Sequence, residues 1–224
     1  MTVLFVIGTI IVFLVIEALV HRASAKKRAR EEVVAVSGGH VRTFPVRIPD
    51  GIFFARSHTW LNLFPSGKIR LGVDDFVGRL LENPEVILLK SEGSEVRRGE
   101  PILTLREGGR SLSIRAPMDG QILGVNDAIR SSPSLLKEKL FTDGWAYMLK
   151  PRKPSELRRM LIGEETRQWI AEEFTRLRAL FTQEGGRVAS ALLQDGGLPI
   201  GGALEGAEGR IWEQFDRMFL RETG

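Results

Sequence analysis

Covalent chemistry in this chain has few residues to start from. There is no Cys, and only three His stand among 224 residues. Thiolate nucleophiles, disulfides and thiolate metal sites are therefore excluded. His21, His40 and His58 are far apart, and none has a second His or Cys at metal-ligand spacing. His58 stands beside Trp60 in an apolar stretch and reads as a hydrogen-bonded strand residue rather than a ligand or base. The other place to look is residues 101–120, PILTLREGGRSLSIRAPMDG, where two apolar runs hinge on Gly108-Gly109. A two-residue primed turn needs positive φ at both central positions, so this stretch predicts a β-hairpin. Its tip is Glu107-Gly108-Gly109-Arg110. These four residues offer a carboxylate and a guanidinium to a partner. They offer no amine, thiol, hydroxyl or imidazole for a covalent step, since a guanidinium stays protonated.

The hairpin needs a scaffold, and short apolar runs on both sides of it supply one. Residues 52–64 read as an aromatic strand, 68–73 as a half-buried strand, and 86–89, 121–125 and 145–150 as further strands. Asp74 and Asp75 open a short helical piece over 76–81, with Asp as N-cap. Residues 91–98 are rich in turn formers. Many short strands with Gly-containing turns predict a small β-sandwich or flattened barrel. Beyond it, Ser155 is a candidate N-cap for helices reaching residue 182, with Gly163 dividing them. A short helix is expected over 188–194. Residues 196–209 are Gly-rich but lack the Gly-Lys-Ser/Thr of a phosphate loop, so they read as a linker. Residues 210–221 place Ile211, Trp212, Phe215, Met218 and Phe219 on one stripe. That stripe either packs on its own domain or, after a flexible linker, is a docking helix whose contact residues are Ile211, Trp212, Phe215 and Phe219.

Residues 2–20, TVLFVIGTIIVFLVIEALV, are almost unbroken apolar sequence of the length that crosses a bilayer. Arg22, Lys26, Lys27, Arg28 and Arg30 follow it, and no Lys or Arg precedes it. The bias of positive charge predicts a single pass with the N-terminus outside and the main domain cytoplasmic. A cleaved signal peptide is the rival, because Ala23-Ser24-Ala25 imitates a processing site. The formal net charge is +4. Its basic excess is concentrated after the apolar segment, which argues against nucleic-acid binding.

The order of motifs around the hairpin resembles the H-protein of the glycine cleavage system, a family of the lipoyl/biotinyl carrier fold (single hybrid motif). Ser57-His58-Thr59-Trp60 resembles its early His-x-Trp strand. Leu71-Gly72-Val73-Asp74-Asp75-Phe76 resembles its strand-to-helix step. Val96-Arg97-Arg98-Gly99-Glu100-Pro101 and Ala116-Pro117-Met118-Asp119-Gly120 resemble the segments flanking the hairpin, and Asn126-Asp127-Ala128, Ser132-Pro133-Ser134-Leu135 and Asp143-Gly144-Trp145 follow in order. The resemblance implies a mainly β domain with C-terminal helices. It also implies a tip Lys that carries lipoate by an amide and shuttles an aminomethyl group between partner enzymes. Counted back from Ala116-Pro117, that position is Gly109. No cofactor or metal is therefore expected here. The expected layout is a membrane helix at 1–21, a basic juxtamembrane linker at 22–43, the carrier-like domain at 44–184, and a Gly-rich linker with terminal helix at 185–224. The expected role is a non-enzymatic interaction or scaffold module with protein partners, glycine-cleavage-like enzymes among the candidates. The alternative is a working lipoyl carrier modified on another Lys, Lys90 and Lys68 both lying away from the tip.

Overall fold

The computed structural model describes residues 35–36, 42–43, 46–183 and 201–221. The expected membrane segment at 2–20, the tract at 26–30 and the helix at 188–194 lie outside these residues. Among the described residues no helix is long and apolar enough to cross a membrane. The chain divides into units 1–47 and 48–224. In the first unit, β1 (Ala35–Val36) pairs antiparallel with β2 (Arg42–Thr43).

The second unit is mainly antiparallel sheet. One seven-stranded sheet runs β12-β3-β4-β5-β11-β10-β7, and a three-stranded sheet runs β6-β8-β9. The first sheet is built from β3 (Phe53–Ala55), β4 (Thr59–Leu63), β5 (Ile69–Val73), β7 (Glu95–Val96), β10 (Gly120–Val125), β11 (Tyr147–Pro151) and β12 (Leu161–Ile162). The second is built from β6 (Glu85–Leu88), β8 (Pro101–Glu107) and β9 (Arg110–Arg115). Apolar alternation sets which faces are buried. Leu112 and Ile114 of β9 point inward while Ser111 is exposed, and Ile69, Leu71 and Val73 are buried around a half-exposed Arg70. Trp60 lies opposite Gly72, and a Cβ there would come within 2.8 Å of the indole, so this close approach requires Gly.

The two sheets are joined through the chain's single tyrosine. The Tyr147 hydroxyl donates to the Ile102 carbonyl at 2.6 Å and accepts from the Lys90 backbone N–H at 3.2 Å. Burial pushes the Tyr147 phenol up from its ordinary pKa, only partly offset by the Lys90 N–H. Nearby, the Lys90 ammonium binds the Glu100 carboxylate, which also accepts from the Arg97 N–H at 2.9 Å. Those bonds, led by the one from Lys90, hold Glu100 below its usual pKa.

The helices are α1 (Asp75–Leu80), α2 (Ala128–Ser131), α3 (Leu135–Glu138), α4 (Glu164–Gln183) and α5 (Gly209–Phe215). The last runs on into a π-helical turn at Asp216–Leu220. Asp74 caps α1 as expected, accepting from the Val77 N–H at 3.0 Å. Three local expectations are corrected. Residues 52–64 form two paired strands rather than one, because the chain turns at Arg56-Ser57-His58. Ser155 is no cap: a 3-10 turn at Pro154–Arg159 begins after Lys153 with no side-chain cap bond. The Gly-rich stretch, where described, is packed rather than linker-like. Ala203, Leu204 and Ala207 are buried, and Gly202 and Leu204 donate to the Arg79 and Leu80 carbonyls of α1.

Candidate functional site

The hairpin tip has the predicted geometry. Glu107 pairs with Arg110 across Gly108 and Gly109, whose φ values are +56° and +77°. Both glycines are exposed, and a Cβ on either would meet open space. The position is therefore accessible, but it holds no amine. A lipoyl amide needs a primary amine, and no Lys occurs from Pro101 to Arg115. The residues present do not fit that group.

The two charged residues flanking the glycines turn toward the chain itself. The Glu107 carboxylate accepts from the Glu82 N–H at 2.9 and 3.1 Å and from the Asn83 N–H, just beyond α1. The Arg110 guanidinium donates to the Ala207 carbonyl. Glu107 and Arg110, expected to face a partner, are both half-buried in contacts within the chain.

The terminal segment makes the next layer. β9 ends its sheet, so one edge of it has no strand neighbour among the described residues. Asp216 covers part of that edge: its Oδ1 accepts from the Ser113 N–H at 3.2 Å, and its Oδ2 pairs with Arg221 at 3.1 Å. Ile211, Trp212, Phe215 and Phe219 are all 4% exposed or less. Phe215 and Phe219 stack on each other at 4.7 Å and reach Phe76 of α1 at 6.3 and 5.9 Å. The Trp212 indole donates to the Leu204 carbonyl at 2.8 Å. Arg176 of α4 lies 4.8 Å over the Phe219 ring and donates to the Met218 carbonyl at 2.6 Å. Of the two readings of the stripe, packing on its own domain is the one these contacts match.

His58 is hydrogen-bonded as expected, but from a turn rather than a strand. Its φ is +60°, unusual for a residue with a side chain. The ring bonds Asp74 Oδ2 at 2.7 Å, with both side chains fully buried, and stacks on Phe76 at 4.6 Å. Trp169 lies 4.9 Å away. One carboxylate thus caps α1 and anchors the β3–β4 turn. Sequence reading found His58 and Asp74 separately. No local pattern joins residues sixteen apart. The Asp216 contact, over a hundred residues from its partner, left no signal at all.

A family model described as glycine cleavage H-protein matches residues 52–173. The chain is 23% identical over 127 residues to the glycine cleavage system H protein of Coprothermobacter proteolyticus, covering 57% of this chain and all of that one. It is 29% identical over 126 residues to that of Shewanella halifaxensis, covering 56% and 98% respectively. A crystal structure of a glycine cleavage system H protein from Mycobacterium marinum aligns with TM-score 0.42 and 23% identity over 52% of this chain and 90% of that one. The matched region takes in the hairpin and stops inside α4. The terminal segment that covers β9 lies beyond it.

Proposed function

The chain belongs to the glycine cleavage H-protein family, and from that premise we propose that it is a member which carries no lipoate and works by contact with other proteins. The family scaffold is non-catalytic in itself, serving as a carrier. The single observation that carries the proposal is Gly109 at the exposed apex, with no Lys anywhere on the β8–β9 hairpin. A swinging arm requires an amine on a projecting tip. Gly-Gly suits the primed turn and leaves nothing to acylate. The inward contacts of Glu107 and Arg110 support the same reading, since they tie the apex to α1 and to the terminal segment.

We further propose that residues 2–20 tether this module to a membrane, with the domain on the cytoplasmic side. The support is the apolar length and the basic flank. The partners would be proteins, glycine-cleavage-like enzymes being the candidates that the scaffold suggests.

Incubation with a lipoate–protein ligase and labelled lipoate tests the carrier question. This chain is expected to take up no label under conditions where a lipoylated H-protein is labelled fully. Label on Lys90, Lys68 or another Lys contradicts the proposal and restores the carrier reading. Fractionation tests the tether: the full chain should stay with membranes through an alkaline wash, and a chain beginning at residue 22 should not.

A further inference from the structure

We propose that the basic cavity where the β3–β4 turn, the β7–β8 loop, the end of β9 and the end of the terminal segment meet binds a phosphate-bearing ligand. The cavity is about 400 Å³ and is lined by Ser57, Arg98, Gly99, Arg115, Ala116, Leu220 and Arg221, with no acidic residue on its wall. It adjoins a second cavity of about 190 Å³ that shares Arg98 and Arg221 and adds Arg56 and Arg159. The acid on that second wall, Glu173, is held by Arg176 at 2.7 Å and by the Trp169 indole at 2.8 Å. Asp216, which pairs with Arg221, takes up part of one positive charge. On these walls Arg residues outnumber acids, Glu173 being the one carboxylate.

Arg115 donates to the Gly99 carbonyl at 3.0 Å, which orients its guanidinium along the cavity wall. Several guanidinium forks around one space suit a tetrahedral oxyanion with more than one charge, because each fork meets two oxygens of a phosphate at once. The volume lies in the range of small-ligand sites.

This inference does not rest on the absence of lipoate. Arg221 and Leu220 lie beyond residues 52–173, so the terminal segment completes a wall that the family-matching region does not supply. The ligand is either a soluble phosphorylated molecule or a phospholipid headgroup, and both present the same chemistry.

Calorimetric titration of the full chain in detergent with pyrophosphate tests the site. Saturable binding is expected with a Kd below about 1 mM. Arg115→Gln and Arg221→Gln should each weaken it about tenfold, the loss of one charged hydrogen bond. Arg152→Gln removes an equal charge from an exposed pair with Glu95 and should change nothing. Displacement of pyrophosphate by micelles doped with phosphatidylglycerol, and not by phosphatidylcholine, identifies the headgroup. No displacement identifies a soluble ligand. Absence of saturable binding overturns the proposal. So does an equal loss in Arg152→Gln and Arg115→Gln, or binding that is indifferent to both Arg115→Gln and Arg221→Gln.

Discussion

At the residue scale, a few buried polar groups hold distant segments together. His58 and Asp74 are one such pair, fully buried and 2.7 Å apart. His58→Ala leaves the Asp74 carboxylate without its imidazole and opens a void beneath Phe76, so it should cost about 3 kcal/mol or more in chemical denaturation. A cost within about 0.5 kcal/mol, the range of a surface substitution, would count against the pairing. Tyr147 is a second. Because its phenol is raised in the folded state, its contribution is intact below the unfolded pKa and is lost as pH rises through the folded one. The denaturation midpoint should therefore fall on going from below to above pH 10.0, and Tyr147→Phe should flatten that fall. The same substitution should cost about 1–3 kcal/mol at neutral pH, since the Ile102 carbonyl and the Lys90 N–H lose their partner. As the chain has one Tyr, tyrosinate absorbance reports this site alone, and titration at or below pH 10.0 would contradict the burial. The sequence singled out His58 and Asp74 and passed over Tyr147. It did not show their partners, because each bond spans residues far apart and depends on sheet pairing that no local pattern encodes.

At the element scale, the hairpin and the terminal helix mark what the sequence can and cannot tell. The hairpin was legible to the residue. Gly108-Gly109 meets a backbone demand for positive φ that few other residues meet, so composition and conformation carry the same information. The turn at Arg56-Ser57-His58 was not legible, because a His at φ +60° gives no such signal and the flanking apolar residues ran on as one strand. The terminal stripe lies between these cases. Helical periodicity fixes that one face is apolar, and it is silent on what covers that face. Here α1, α4 and β9 cover it. Phe219→Ala, which empties a site 2% exposed between Phe215, Phe76 and Arg176, should cost about 3–5 kcal/mol. Asp216→Ala should in addition speed amide exchange at Ser113, whose N–H loses its acceptor. Unchanged stability in Phe219→Ala would mean that the helix is free of its domain in solution and open to a partner after all.

At the scale of the whole molecule, the chain has the family's matching region over residues 52–173 and Gly109 at the apex of its hairpin. The fold and the family were readable because motifs such as Leu71-Gly72-Val73-Asp74-Asp75-Phe76 record structural needs: Gly72 under Trp60, Asp74 at the head of α1. The division into two sheets was not readable, since strand order is set by pairing between distant segments. Nor was the basic cavity, whose walls come from four places in the chain. The terminal segment closes over β9, ties Arg110 through Ala207, and supplies Arg221 to that cavity. Those contacts give this chain a surface that a swinging arm would not need. The proposed role requires a chain that carries no lipoate, and the most direct test is the mass of the protein itself. Intact mass and peptide mapping of the chain purified from its native cells, grown with lipoate in supply, should show every lysine unacylated. A lipoyl or octanoyl group on any lysine would contradict it.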